Sequence, residues 1–582
     1  MKKKFLYLFE DKTELLVLIF FIIASILYLN LNGLPLNNPG NIKAADPFYH
    51  AIMVENILDT KQWNYYDFYI SLNQEKYANS QPPLYYLNAA ILSTFTKLPS
   101  WITIYFFMSL TLAFYIIVIY FLTKEIFENK KIALLASLFS ILPFPVNVWL
   151  YPLYIGLWLQ LVSNFFILIF IWLFIKYLKN KEKNNLFFIG LTLIGILLVH
   201  PQDLSVLFLP TLFLAYKILK NNYELNFKEQ SNSNSKNFDK KLFIFNFLKN
   251  TFFDYLFLGL PFLIVFLVLL PKILFVWGSV GSNQFNLGFF GLRSNYFTNE
   301  YSGGLVFPLI TFIPLFLIII WILAIIQLYL NKEKYKEWLF VNFYFFVITY
   351  VLLIFIEQPY YFARLRTLTP YILYPSIAYF IIFILNLINQ KITENYDNEK
   401  TKSNFFPNFF IIIIAVFLFI TALPSYFSLK EQLKYEHIPI EKWETFNWIQ
   451  ENVPKDKKIL FFGGIFQSEQ IFTKRITAVL DMNEYINLVK KAIETNKTET
   501  NFIVSHGADT LRTNKIEVNF FKYKDANEPD KNVSLFDFDY VFFTNINKEI
   551  ANANSYFINY YLNNGYELVY NKNGFIIIKK IL

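Results

Sequence analysis

Long apolar runs alternate with short polar segments over the first 424 residues of the chain. The first run extends from Leu15 to Tyr28. Others lie near 101–123, 132–146, 155–176, 186–199, 204–219, 252–271, 305–330, 338–356, 367–388 and 407–424. Uncharged segments of this kind match the ~20 residues that a helix needs to cross a bilayer. The pattern predicts an α-helical polytopic membrane protein with about eleven transmembrane helices. From residue 425 the pattern changes. "IPIEKWETFNWIQENVP" has the apolar spacing of an amphipathic helix, closed by Pro454. "KKILFFGG", "YVFFTN", "YELVYN" and "GFIIIKK" read as strands, the last two joined by an Asn-Lys-Asn-Gly turn. The expected organisation is a membrane domain over 1–424, with a long first loop at 32–100, and a small α/β domain over 425–582.

Composition agrees with this pattern. Of the 582 residues 55% are hydrophobic and 16% are charged, too apolar a balance for an ordinary soluble protein. The net charge of +9 does not indicate a nucleic-acid partner, because the lysines cluster in short segments between apolar runs, where they act as topology signals. The chain has no cysteine, which excludes disulfides, thiolate metal sites and cysteine nucleophiles. Abundant Phe, Ile, Asn, Lys and Tyr suggest an AT-rich coding bias, so a Phe in place of a Leu carries little meaning.

The charge distribution also sets an orientation. "TKEIFENKK", "KYLKNKEKNN", the 220–250 loop, "NKEKYKE" and "NQKITENYDNEKTKSN" are rich in lysine, whereas the alternate loops "PFPVNVWLYP", "HPQD", "GSVGSNQFNLGFFGLRSNYFTNEYSGG" and "EQPYYFARLRT" hold few basic residues. This bias places the N-terminus in the cytoplasm and the C-terminal domain outside. The first helix reads as a retained span, since no small-residue cleavage site closes it. "SNSNSKN" at 231–237 reads as a flexible linker in a cytoplasmic loop.

Candidate chemistry gathers in the outer loops. In "AADPFYHAIMVENIL", Asp46 fits a helix N-cap with Pro47 at the first helical position. One reading is structural: a capped interfacial helix with Phe48 and Tyr49 at the lipid headgroups. The other is functional, because Asp46 and His50 would lie one turn apart on one helix face, suited to a base, a metal ligand or both. In the "HPQD" turn, Asp203 fits either an N-cap for a helix beginning at Leu204 or, with His200, a functional pair. Arg364 and Arg366 in "YYFARLRT" suit bidentate binding of phosphate, or an interfacial anchor paired with Glu357. Glu300, in "NYFTNEYSGG", is either a solvated carboxylate or part of a loop that closes over substrate. His50, His200, Asp46 and Asp203 together are a candidate set for Mg²⁺ or Mn²⁺, with fewer carboxylates than a hard cation usually takes.

The order of these motifs resembles that of the membrane-embedded GT-C glycosyltransferases. "DPFYHAIMVENIL" is similar to the first-loop acidic motif of archaeal and eukaryotic oligosaccharyltransferase catalytic subunits. "PPLYYLNAAIL" resembles a first-loop segment of transferases that use lipid-phosphate sugars, and "WETFNWIQENVPKD" looks like the start of the family's outer domain. Two departures stand out. The second outer loop, "LPFPVNVWLYPLYIG", has no carboxylate, and "ILFFGGIFQSEQ" replaces the Trp-Trp-Asp-Tyr-Gly motif that reads the acceptor sequon. The resemblance therefore implies a single-sugar transferase. Its donor would be a polyprenyl (dolichyl) phosphate sugar dissolved in membrane lipid, and its acceptor a lipid, glycan or protein on the outer face. Within that resemblance Asp46 is the expected base, and Arg364 is the arginine nearest the phosphate. The competing class is a polytopic transporter or flippase of lipid-linked or small polar substrates. Such proteins place charged residues and broken helices near the bilayer midplane, and the spans here are nearly uncharged.

Overall fold

The computed structural model describes residues 12–31, 45–63, 82–141, 158–232, 240–279, 315–348, 367–395, 426–431, 440–462, 472–480, 482–495, 501–504, 510–512, 531–544 and 548–581, with a few single positions between them. In chain order the helices are α1 Lys12–Asn30, α2 Ala45–Thr60, α3 Pro83–Thr96, α4 Ser100–Phe127, α5 Lys130–Phe139, α6 Trp158–Asn180, α7 Lys183–Val199, α8 Phe208–Asn232, α9 Lys240–Ser279, α10 Leu315–Leu330, α11 Lys332–Phe346, α12 Thr369–Asn395, α13 Ile440–Asn452, α14 Met482–Thr495 and α15 Lys548–Leu562. A 3₁₀ turn, Pro201–Leu207, lies between α7 and α8. The chain divides into two compact units. One holds Met1–Gly33, Tyr105–Leu270 and Gly288–Lys434; the other holds Leu34–Ile104, Pro271–Leu287 and Tyr435–Leu582. Residues 34–104 thus group with the C-terminal segment, which the linear division at residue 424 did not anticipate.

The first unit is a helical membrane body. Among the described residues five helices are long and apolar enough to cross a bilayer, over Thr13–Asn30, Ser100–Phe127, Trp158–Asn180, Lys240–Pro271 and Thr369–Lys391, and Lys183–Val199 and Leu317–Leu330 are shorter apolar helices. The protein is therefore a multi-pass membrane protein. Small residues set the helix approach: a Cβ on Gly190 of α7 would lie 2.3 Å from the Leu258 carbonyl oxygen of α9, and one on Gly195 would lie 2.7 Å from the Phe166 ring of α6. Buried polar groups join α10, α11 and α12. Trp338 Nε1 donates to Ser376 Oγ at 2.9 Å, Trp321 Nε1 donates to Asn342 Oδ1 at 3.2 Å, and Asn342 Nδ2 donates to the Trp338 carbonyl. In an apolar surround each of these bonds spares a polar group from going unmet.

Several boundaries differ from the sequence reading. The expected 220–250 loop is helical over much of its length, as α8 runs to Asn232 and α9 starts at Lys240. Lysines and glutamates there are good helix formers, and Lys220 and Glu224 pair at i,i+4. "NKEKYKE", expected as a loop, forms the first turns of α11 with a kink at Tyr335. Most of the 231–237 tract and most of the 407–424 run lie outside the described residues.

The second unit contains an eight-stranded sheet in the order β5-β3-β4-β2-β1-β6-β8-β7. The strands are β1 Lys458–Phe462, β2 Ile476–Leu480, β3 Asn501–Val504, β4 Thr510–Arg512, β5 Lys531–Ser534, β6 Tyr540–Thr544, β7 Tyr566–Lys572 and β8 Phe575–Lys580. Strand β1 pairs parallel with β2 and β6, and β8 pairs antiparallel with β6 and β7. β1 and β6 are buried on both faces, which explains their unbroken apolar runs. Leu460, Phe462, Val541 and Phe543 pack with Tyr485 and Leu488 of α14 and Phe557 and Tyr561 of α15. On the other face Phe461 and Phe542 meet Phe446 of α13, with ring centroids 6.3 and 6.2 Å away. The hairpin turn is Asn573-Gly574, with φ of 55° and 82°, the two positive values that a two-residue turn matched to strand twist requires.

Candidate functional site

Helix α2 carries Asp46 and His50 in the second unit. It starts at Ala45, so Asp46 is its second residue and not its N-cap, and Pro47 falls in the first turn, where a missing N–H leaves no bond unmade. The side chain of Asp46, expected on one face with His50, lies outside what the structure describes. Every residue from His50 to Asn56 is buried, so this stretch is enclosed on all sides. A helix lying at the headgroups would bury one stripe only. The burial of His50–Asn56 does not fit a helix lying along the headgroups over that stretch; the Phe48 side chain, part of the interfacial reading, lies outside the described residues.

Around His50 the partners are aromatic. His50 Nδ1 and the Tyr86 hydroxyl of α3 lie 2.9 Å apart in a buried hydrogen bond, which commits that ring nitrogen. The Tyr85 ring stands edge-on to the imidazole at 5.9 Å, and Trp63 stacks on Tyr86 at 5.9 Å. Tyr85 donates to the Ile104 carbonyl at 2.8 Å, fixing α3 to the start of α4. One turn further along α2, the buried carboxylate of Glu55 accepts from Lys474 Nζ at 3.0 Å. Sequence reasoning missed Tyr86, Glu55 and Lys474. The signal for Glu55 was present, as "VENIL" puts a carboxylate and an amide inside an otherwise apolar helix.

His200 and Asp203 lie in the first unit. Asp203 is inside the 3₁₀ turn and does not cap the next helix, which begins four residues later than expected, at Phe208. The turn instead brings Asp203 Oδ1 to 3.0 Å from His200 Nδ1, with the carboxylate only 6% exposed. Asp203 Oδ2 has no hydrogen-bond partner among the described residues. Arg364, Arg366 and Glu300 lie outside the described residues. Among the described residues no three of His, Asp and Glu converge as a metal site. The His200–Asp203 pair supplies two donors, short of the six or more oxygens that a Mg²⁺ or Mn²⁺ shell takes from protein and water.

The described chain is a multi-pass helical membrane protein that also carries an α/β sheet domain. Over residues 9–364 it matches the model of a family of unknown function, DUF6541, and it belongs to that family. No curated protein matches it. Its structure is similar to several solved structures, three of which follow. Against the oligosaccharyltransferase of Archaeoglobus fulgidus in the apo form, identity is 13% and the TM-score 0.47, over 79% of this chain and 64% of that one. Against ArnT from Cupriavidus metallidurans in the apo state the values are 10% and 0.46, over 85% and 97%. Against the arabinofuranosyltransferase AftD from Mycobacteria they are 9% and 0.49, over 97% and 40%. The chain thus spans less than two thirds of the archaeal oligosaccharyltransferase.

Proposed function

We propose that the protein is a membrane glycosyltransferase that moves a single sugar from a polyprenyl (dolichyl) phosphate donor to a lipid-, glycan- or protein-linked acceptor on the outer face of the membrane. The observation that carries this reading is the enclosure of α2. The segment resembling the GT-C acidic motif is a helix buried through His50–Asn56, tied to α3 by the His50–Tyr86 bond and to the segment before β2 by the Glu55–Lys474 pair. Such packing holds α2 as a rigid element, which suits a helix whose first turn carries Asp46, the proposed base.

In the proposed reaction the acceptor hydroxyl attacks the sugar C1. Asp46 takes the hydroxyl proton as the new C1–O bond forms, and the C1–O bond to phosphate breaks with its electron pair staying on the phosphate. Arg364 and Arg366 offset the charge that develops on the departing polyprenyl phosphate. In this reading the N-terminus is cytoplasmic and the C-terminal domain extracytoplasmic, following the lysine bias of the alternate loops.

Purified protein in nanodiscs, given a set of polyprenyl-phosphate sugars and a membrane acceptor fraction, is expected to release free polyprenyl phosphate and label the acceptor. Transport of the same lipid across proteoliposomes without cleavage of the C1–O bond would support the transporter or flippase class in its place.

A further inference from the structure

One end of the helical unit concentrates polar groups in its interior. Tyr105 of α4 donates to the Tyr28 carbonyl of α1 at 2.7 Å, and the Tyr105 and Trp158 rings lie 6.0 Å apart, so the end of α1 meets the starts of α4 and α6. Asn164 Nδ2 of α6 donates to Thr367 Oγ1, just before α12, at 2.8 Å. The Tyr115 hydroxyl of α4 donates to the Leu161 carbonyl, and its ring stands edge-on to Tyr371 of α12 at 4.7 Å. The 3₁₀ turn that carries Asp203 packs against α6, the helix of Gln160, Ser163 and Asn164.

Five side chains here have polar atoms that meet no partner among the described residues. Gln160 Oε1, Ser163 Oγ, Asn164 Oδ1, Thr369 Oγ1 and Asp203 Oδ2 are buried without a hydrogen-bond partner there, in residues that are 3%, 0%, 0%, 7% and 4% exposed. Gln160, Ser163 and Asn164 follow the i, i+3, i+4 spacing of one helix face. An unmet polar atom costs about 1–3 kcal/mol even in soluble proteins, and a lipid surround supplies no water to meet it. Five together mark a place where something else completes the bonds. Three of the five are pure acceptors, so the complement is rich in O–H or N–H donors. Asp203 adds a negative charge that disfavours an anionic occupant.

We infer that Gln160, Ser163, Asn164, Thr369 and Asp203 form a recognition subsite for the hydroxyl groups of a neutral sugar. The inference rests on the proposed glycosyltransferase reading and deepens it. The sugar on the lipid phosphate is a neutral polyhydroxylated ring and not a uronic acid or a phosphorylated sugar. Gln160 and Asn164 accept from its hydroxyls, and Ser163 and Thr369 both donate and accept.

The test uses the full chain in nanodiscs and three short-chain probes: citronellyl phosphate alone, its mannosyl derivative and its glucuronosyl derivative. Calorimetry is expected to show the mannosyl probe binding at least about tenfold more tightly than bare citronellyl phosphate, with no such gain for the glucuronosyl probe. Gln160→Leu and Asn164→Leu should each remove most of that gain while bare citronellyl phosphate binds within twofold of the parent protein. Ser163→Ala leaves the Asn164–Thr367 bond in place and repeats the test with the least demand on folding. A gain equal for both sugars, or one unchanged in all three variants, would overturn the subsite. A gain in a protein that transfers no sugar would keep the subsite and remove the transferase reading. Transfer with unaltered sugar preference in the variants would do the reverse.

Discussion

Lys474 Nζ lies 3.0 Å from Glu55 Oε2, joining two positions 419 residues apart in sequence. Glu55 is 10% exposed at its side chain and Lys474 35%, so the pair straddles the edge of the buried interior of its unit. Lys474 holds the contact from a left-handed backbone, with φ at 53°. The contact links helix α2 to the segment just before β2, and a second polar tie joins His50 of α2 to Tyr86.

The two ends of this pair should respond unequally to removal. Lys474→Ala leaves a buried carboxylate without its cation and is expected to cost roughly 2–3 kcal/mol, below the cost of a fully buried pair because the lysine is partly solvated. Glu55→Gln keeps an acceptor for the lysine and should cost about 1 kcal/mol or less. Hydrogen exchange over residues 45–60 would show the difference as faster opening of α2 in Lys474→Ala. Equal protection in both variants would mean that the ion pair does not hold the helix.

Helix approach offers a second test. Gly190→Ala places a Cβ at 2.3 Å from a backbone oxygen of α9, which cannot turn aside as a side chain would, so a loss of about 1–3 kcal/mol is expected. Gly259→Ala, with nothing within 4 Å of its Cβ, should leave stability unchanged or slightly raised. Thermal unfolding of the two variants in the same detergent checks the contrast.

The α/β domain should lose stability at high pH. Burial pushes the phenols of Tyr485, Tyr561 and Tyr566 above the ordinary value of 10.0. They donate to Asn554 Oδ1 and to the carbonyls of Leu535 and Phe538 at 2.7, 3.1 and 2.8 Å. Because the folded state holds these protons more tightly than the unfolded state, their stabilisation is complete below about pH 10 and is lost as pH rises beyond it. Tyr566→Phe should flatten that decline while lowering stability at neutral pH by about 1 kcal/mol. Urea titrations at pH 8 and pH 11, followed by hydrogen exchange in β6 and α15, read both effects.

The arginines carry a prediction of their own. Arg364→Ala should weaken use of the donor by roughly 2–3 kcal/mol in kcat/KM, with acceptor dependence little changed, since a guanidinium on phosphate makes charge-assisted bonds. Lysine at 364 should recover only part of this, because it lacks the two-pronged geometry. Unchanged donor dependence in both the Arg364→Ala and Arg366→Ala variants would remove the pair from the site.

The long apolar spans and the strands β1, β6, β7 and β8 were legible in the sequence because each is a run of one character bounded by turn residues. "KILFF" and "YVFFT" read as strands, and their enclosure on both faces accounts for the unbroken apolar run. Strands β3, β4 and β5, of three or four residues, are too short to carry a period, and the pairings of β4 with β2 and of β3 with β5 join residues about 30 positions apart. The candidate residues Asp46, His50, His200 and Asp203 could be named from residue type and position. Their settings could not. Whether α2 lies on a surface or inside a body depends on Tyr86 and Lys474, which meet it only after folding. Nor does the sequence show that the 3₁₀ turn folds the imidazole of His200 onto Asp203, since a helix N-cap fits the same residues.

The most direct measurement is transfer by Asp46→Asn in a purified system with a defined polyprenyl-phosphate sugar. Asparagine keeps the size of the side chain and costs at most about 1 kcal/mol of stability at a helix start, while removing the proton acceptor. Transfer is expected to fall by roughly two to four orders of magnitude with donor binding retained, whereas Asp203→Asn should alter sugar preference far more than maximal rate. Near-normal transfer by folded Asp46→Asn, or a loss of that size at Asp203 and none at Asp46, would contradict the assignment of the base.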